Sequence, residues 1–222
     1  MSTIVVAGAG PLLGLSIGKV FGAHGFRVAL IARRAAELDK LVRELSEAKI
    51  EAAGFPADLT EPGQTALAFE QIERKFGPVD VLEYSPTDWA RTQSSLVSPS
   101  ATTVDMALAD FRLLVMGAMN CVHQVLPGML ERKAGALLFG MGYSAVKPLS
   151  FITSLGISNA GVRNYAYCLS DELAPKGIYI GIVPINVAIA RGTEGDPDLI
   201  AELFWDMYTK RDRIEQVFGS TL

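Results

Sequence analysis

The sequence predicts a single doubly wound α/β domain over residues 1–222, with a parallel sheet of six or seven strands and helices on both faces. Three observations predict it. Apolar, β-branched runs alternate with amphipathic stretches from one end of the chain to the other, the pattern of repeated βαβ units. Half of the 222 residues are hydrophobic, as a parallel sheet buried on both faces requires. No internal repeat or low-complexity tract divides the chain, and its length fits one sheet.

The elements follow in order. The β-branched run Ser2–Ala7 reads as the first strand and enters a glycine-rich turn ahead of an amphipathic helix, Leu13–His24. Arg27–Ala32 is the second strand and Ala35–Ala48 the second helix. Glu51–Ala57, helix Pro62–Phe76 and Val79–Tyr84 continue the alternation. The segment Thr87–Thr103 is rich in Ser, Thr and Pro and has no period, so it reads as a long loop of the kind that frames sites. A long apolar helix with room for a bend, Val104–Arg132, precedes the fifth strand, Ala136–Met141. Helix Ile152–Ala174, strand Tyr179–Pro184, loop Ala188–Asp196 and helix Pro197–Lys210 complete the pattern, with a short edge strand expected at Arg213–Phe218. Gly25, Gly77, Gly135 and Gly177 each stand just past a helix, where a left-handed cap residue belongs.

Composition narrows the function. A net charge of −4 gives no reason to expect nucleic acid or an anionic membrane as partner. Cys121 and Cys168 have no CxxC or metal-ligand neighbourhood and read as small buried apolar side chains. His24 and His123 are isolated and read as packed or solvated, so no metal site is expected. No basic stretch precedes an apolar run at the N-terminus, and the longest apolar stretch, Ile178–Ala190, is interrupted by Pro184 and Asn186. The expectation is a cytoplasmic protein with no membrane span.

Gly8, Gly10 and Gly14 lie between a strand and a helix, with Leu12 and Leu13 between the last two. Glycines there allow a tight turn and close approach of backbone to a pyrophosphate, which rests on the helix N-terminus in a Rossmann-like fold. A turn of this composition also occurs without a ligand. The second strand ends in Ala32-Arg33-Arg34, with no acidic residue for a ribose 2′-hydroxyl. Two arginines suit a 2′-phosphate, so the cofactor expected is NADP(H) in preference to NAD(H). A helix start is unfavourable for cations, and a bound anion would rationalise them.

On these motifs the chain resembles the short-chain dehydrogenase/reductase family along nearly its whole length. That family opens with Gly-x-x-x-Gly-x-Gly; laid on Gly8, its third glycine is Gly14 and its middle one falls on Leu12. The resemblance implies adenine contacts from Asp58 and Leu59. It also implies a cofactor lining after the fourth strand, where Asn-Asn-Ala-Gly is replaced by Tyr84-Ser85-Pro86-Thr87. After the sixth strand the family's Pro-Gly becomes Ile185-Asn186.

The family's proton chemistry uses a helical Tyr with a Lys four residues later, whose ammonium stabilises the phenolate. A Ser holds the substrate oxygen, and an Asn supports a relay water. The stretch Glu172-Leu173-Ala174-Pro175 anchors the register. The Lys position then falls on Asn159, the Tyr on Leu155, the Ser on Gly142 and the Asn on Leu114. All four are substituted. A literal Tyr-x-x-x-Lys does occur at Tyr143 and Lys147, but it leaves the fifth strand directly and Pro148 follows, which disfavours a helical Lys147.

Two readings stay open. One is a protein of this fold that binds NADP(H) or serves as a scaffold and is inactive by the standard mechanism. The other is an NADP(H)-dependent oxidoreductase acting on an apolar carbonyl or alkene with a non-standard proton donor, Tyr84, Tyr143 or solvent. Trp89, Phe204, Trp205 and Tyr208 suggest a small apolar ligand. The helices Val104–Arg132 and Ile152–Ala174, with Met116, Met119, Val122, Val125, Val162, Tyr165 and Leu169, suggest a homodimer or tetramer.

Overall fold

A computed structural model describes residues 1–88, 92–93 and 96–219 of the chain. Six parallel strands, β1 (Thr3–Ala7), β2 (Arg27–Ala32), β3 (Ala52–Pro56), β4 (Val81–Tyr84), β5 (Gly135–Gly142) and β6 (Ile178–Ile185), lie in the order β3-β2-β1-β4-β5-β6. The helices are α1 (Leu13–Ala23), α2 (Ala35–Glu47), α3 (Pro62–Phe76), α4 (Val104–Arg132), α5 (Thr153–Leu173) and α6 (Pro197–Lys210). The strand order reverses between β1 and β4, which opens a crevice at their carboxyl ends.

Alternation along each strand divides the core. Val5, Ala7, Leu82, Tyr84, Leu137 and Phe139 pack against α3, α4 and α5, whereas Ile4, Val6, Val81 and Leu138 pack against α1, α2 and α6. Thr3 through Ala7 are all buried, as expected of a central strand covered on both faces. The expected edge strand is present as two parallel bridges, Ile182 to Glu215 and Ile185 to Phe218. A bidentate pair between Arg163 of α5 and Glu215, at 2.6 and 3.0 Å, ties this segment to the domain.

Several expectations shift. Gly135 caps no helix: Lys133 takes the left-handed position, with φ 51°, and Gly135 begins β5, where a Cβ would crowd the Met129 side chain. Gly25, Gly77 and Gly177 do adopt positive φ. Strand β4 starts at Val81 because the Asp80 side chain accepts the Thr3 amide at 2.8 Å and fixes the strand entry. Cys121 is buried, but Cys168 is exposed.

Helix α4 is apolar and long enough to cross a bilayer by length and composition. One face of it, Val115, Ala118, Cys121, Val122, Val125 and Met129, is buried in the core, while Val104, Leu108, Phe111, Met116 and Met119 stay exposed. The expected bend is a π-turn at Arg112–Met116. The turn has a local partner, since the Tyr84 hydroxyl donates to the Leu113 carbonyl inside it.

Candidate functional site

The crevice is built where the exits of β1 and β4 meet. Gly8 has φ +97°, and a Cβ on it would collide with Pro86, so the β1 turn and the β4 exit touch backbone to ring. The amides of Gly8 and Ala9 both donate to the Ile31 carbonyl, at 3.0 and 2.9 Å, and the Ser85 amide donates to Ala7. A Cβ on Gly14 would come within 2.9 Å of the Ala9 Cα, so this glycine lets α1 close onto the turn. Gly10 faces open space.

This turn fits a dinucleotide phosphate. Among the described residues, no acceptor meets the amides of Leu12, Leu13 and Gly14 at the start of α1, and an anion there would also gain from the helix dipole. Leu13 lines the cleft; Leu12 is 38 % exposed at its lip and does not. Arg33 and Arg34 are exposed at the end of β2, with Arg33 paired to Asp88 at 3.0 Å across the mouth. Asp58 accepts the Thr60 amide and hydroxyl at 2.9 and 2.7 Å, which holds the β3 exit, and Leu59 is buried behind it.

The cleft has a volume of about 220 Å³. Leu114, Gly142, Leu155 and Asn159, four positions far apart in the chain, all line it. Asn159 is buried and donates to the Ser144 hydroxyl at 3.1 Å. A Cβ on Gly142 would sit 3.1 Å from the Asn159 amide nitrogen and 3.5 Å from Ser144 Oγ, so the glycine makes room for this pair. Ser85, Thr87, Asp88, Thr92 and Asp110 supply the remaining polar lining. Leu113, Met141, Ile152, Ile185, Val187 and Ile189 supply most of the apolar surface. No Tyr, Lys, His or Cys lines the cleft among the described residues, and none of them groups three His, Cys, Asp or Glu side chains for a metal.

The substitute proton donors are elsewhere. Tyr84 is buried beneath α4, does not line the cleft, and spends its hydroxyl on the Leu113 carbonyl. Burial, then Cys121 and Asp58, pushes its pKa well above 10, which unsuits it to proton transfer at neutral pH. Tyr143 and Lys147 lie in and after a short 3₁₀ turn that leaves β5, with Lys147 exposed, and neither lines the cleft. The aromatic set is also displaced. Phe204 is buried in the core, and Trp205 and Tyr208 pack around Phe21 and Phe26 at the far end of α1, with Trp205 stacked on His24 at 3.9 Å. Trp89 lies outside the described residues.

Three groups escaped the sequence reading. Asp110, buried in the cleft wall, accepts a short hydrogen bond from Ser154. Arg191 reaches the Pro11 carbonyl at 3.3 Å and Asp198 at 3.4 Å, which sets a cation close to the α1 N-terminus; that approach is tertiary and leaves no local pattern. Glu83 is wholly buried in β4, and neither carboxyl oxygen has a hydrogen-bond partner. Burial pushes its pKa up to about 8, and the neighbouring Ser85 hydroxyl pulls the other way without reaching hydrogen-bond geometry. A charged residue inside the apolar run Val79–Tyr84 was the signal for it.

Comparison with known proteins places this geometry. The short chain dehydrogenase family profile matches residues 2–194. A short chain dehydrogenase of Pseudocercospora fijiensis is 28 % identical over 79 % of this chain and 56 % of its own length. The mouse dehydrogenase/reductase SDR family member 7 is 27 % identical over 96 % of this chain and 62 % of its own length. The chain therefore spans about three fifths of the length of these curated relatives. A metagenomic short-chain oxidoreductase solved in complex with NADP superposes with a TM-score of 0.86 at 21 % identity, over 100 % of this chain and 98 % of that one.

Two stability measurements check the β4 assignments. Tyr84→Phe leaves the Leu113 carbonyl without its donor and is expected to cost about 1–3 kcal/mol in urea unfolding, with no change in ligand affinity at the cleft. Glu83→Gln tests the buried acid. An unfolded-chain glutamate titrates near 4.5, and the native one near 8. Between these values the native state holds a proton that the unfolded chain has lost. Wild-type stability therefore falls as the pH rises across that window, and the fall stops above it. The glutamine variant lacks this slope, so its advantage over wild type is expected to grow from pH 5 to pH 8 and then level off. An advantage independent of pH would show that the native carboxyl titrates normally.

Proposed function

The chain belongs to the short-chain dehydrogenase family, and we propose that it binds NADP(H) without using that family's phenol–ammonium relay. The observation that carries this reading is the lining of the cleft. The positions corresponding to the family's Asn, Ser, Tyr and Lys are Leu114, Gly142, Leu155 and Asn159, and all four meet in one cavity. In place of a phenol with a lowered pKa stands an aliphatic side chain. In place of an ammonium stands an amide that holds the Ser144 hydroxyl. A positioned acid–base group contributes roughly 10²–10⁴-fold to rate, so its loss favours a cofactor-binding or scaffold role.

The binding half of the site supports the cofactor. The amides at the start of α1 would take the pyrophosphate, with Arg191 beside them, and Arg33 and Arg34 would take the 2′-phosphate. Arg33 would then exchange Asp88 for the phosphate, which favours NADP(H) over NAD(H). Bound NADPH would supply the hydride for any reduction. This chain's own part is to hold the dinucleotide across the switch point and to present the apolar pocket of Leu114, Met141, Leu155 and Ile185 beside it.

One observation favours a second reading, reduction of an apolar carbonyl or alkene with a different proton source. Asp110 lines the cleft and is hydrogen-bonded to Ser154, next to Leu155. Asp110 itself faces the cleft while Ser154 lies behind it, so any proton exchange with a bound oxygen would involve the Asp110 carboxyl group directly.

We also propose a homodimer or tetramer built on α4 and α5. Val122, Val125, Val162 and Leu169 are committed to the core, but Val104, Leu108, Phe111, Met116 and Met119 stay exposed along α4, and Phe151 and Ile157 stay exposed beside α5. A second copy of the same helices would cover this surface isologously.

Fluorescence titration with NADPH is expected to show saturable binding, and Arg33→Ala with Arg34→Ala is expected to weaken NADPH about tenfold or more while leaving NADH nearly unchanged. No NADPH oxidation is expected over a panel of apolar ketones, aldehydes and enones. Turnover lost in Asp110→Asn would select the second reading, and turnover lost in Tyr143→Phe would restore the Tyr143–Lys147 pair. For the assembly, light scattering at micromolar concentration is expected to give at least a dimer, with Ile157→Asp shifting it to monomer. A wild-type monomer rejects the interface.

A further inference from the structure

Glu83 is the one buried acid that the site described so far leaves without a task. Its surroundings are defined on every side. Register sets Val6 of β1 and Leu138 of β5 beside it. The next β5 residue on that face is Gly140, and a Cβ there would lie 3.7 Å from Glu83 Oε1, 2.8 Å from Ser85 Cβ and 3.2 Å from Phe204 Cζ. Ser85 and Gly140 themselves line the cleft. The carboxyl group therefore lies beneath the cleft floor, next to the Ser85 side chain and the Phe204 ring that fill the space Gly140 leaves.

We propose that Glu83 senses the charge in the cleft: it keeps its proton when the cleft is empty or holds an uncharged ring, and releases it when a cationic ring lies over the Ser85–Gly140 floor. The proposal rests on the NADP(H) reading above, because the oxidised nicotinamide is such a cation and the reduced one is neutral. The physics is short-range. A positive charge a few ångströms above a desolvated carboxyl stabilises the carboxylate, through a medium that screens poorly. The released proton goes to solvent, with the Ser85 hydroxyl between the carboxyl and the cleft. No other group on that face competes. Residues 3–7 of β1 and residues 135–142 of β5 bring no ionisable side chain. The ionisable groups of α1 and α6, Lys19, Asp198, Glu202, Asp206, Tyr208 and Lys210, are all at least partly exposed. Asp88 and Asp110 line the cleft but are engaged by Arg33 and Ser154.

The burial that raises the Glu83 pKa to about 8 puts the switch within a usable range. Well below it the carboxyl is neutral with either cofactor, near it only the oxidised form drives the proton off, and above it the carboxylate attracts only the oxidised form. The test is calorimetric titration of the full chain with NADP⁺ and with NADPH at pH 6, 7, 8 and 9. The 2′-phosphate titrates alike in both, so the ratio of their dissociation constants isolates the ring. The ratio of NADP⁺ to NADPH dissociation constants is expected to fall roughly tenfold from pH 6 to pH 9, about one unit of pKa displacement. Binding of NADP⁺ near pH 7.5, read in buffers of different ionisation heat, is expected to release a proton that NADPH does not. In Glu83→Gln both effects are expected to vanish. A ratio independent of pH, or one with the same slope in Glu83→Gln, overturns the proposal and leaves the cofactor reading standing. Absence of binding by either form at every pH overturns both. If Glu83→Gln fails to fold, the wild-type proton release decides alone.

Discussion

The site depends on the contact between β1 and β4 at the switch point. Their register sets Val6 against Glu83 and Ala7 against Tyr84, and the next residues of the two strands make the crevice. The β4 exit is crowded: Glu83, Tyr84, Ser85 and Pro86 all need space that a chain of small residues would leave free. Glycines on three neighbouring elements provide it. Gly8 admits the Pro86 ring, Gly117 on α4 admits the Tyr84 hydroxyl, and Gly140 on β5 admits Ser85 above Glu83. A Cβ at any of the three would force a backbone or a strand apart, so β4 and its glycine partners form one packing unit.

That unit also explains how the walls of the cleft close. The side chains that meet there each have a local counterpart. Leu155 adds to an apolar wall with Leu114 and Ile152, and Asn159 finds Ser144 beside the cavity that Gly142 leaves. Both side chains satisfy the interior without a buried unpaired charge. The π-turn belongs to the same set, because Tyr84 stabilises a Leu113 carbonyl that a regular helix would have used internally. Two of the polar groups lining the cleft are held by hydrogen bonds, Asn159 to Ser144 and Asp110 from the buried Ser154.

Much of this was legible from residue patterns. Strand β2 and helices α3, α4 and α6 occupy the spans read from periodicity, because their limits are set by local proline, glycine and charge. Limits set by tertiary contact were not legible. The β4 entry depends on Asp80 reaching Thr3, and the turn after α4 depends on Lys133 rather than Gly135, since Gly135 was needed against Met129. Leu114, Gly142, Leu155 and Asn159 were picked out by the family resemblance, counted from the Glu172–Pro175 stretch, and all four line the cleft. The direction of Tyr84 also follows from alternation: it shares a face with Leu82, away from Val81 and Glu83. The aromatic residues of α6 misled because composition says which side chains an element carries and not which end of its neighbour they meet. Trp205 and Tyr208 cover Phe21 and Phe26.

The remaining anomaly is energetic. Glu83 occupies a central strand position where a valine would bury apolar surface at no electrostatic cost. Keeping it neutral avoids the full expense of an unpaired charge, but the native state then binds a proton near pH 7 and loses stability as the pH rises. Packing gives the carboxyl no polar partner, since neither of its oxygens has a hydrogen bond and Ser85 and Phe204 fill the space that Gly140 leaves beside it. Nor does the sheet, whose hydrogen bonds at this position are made by backbone. An acid that stabilises neither packing nor sheet, and that stands beneath the cleft floor, has its consequence in that cleft: its protonation state there is set by the charge of whatever occupies it.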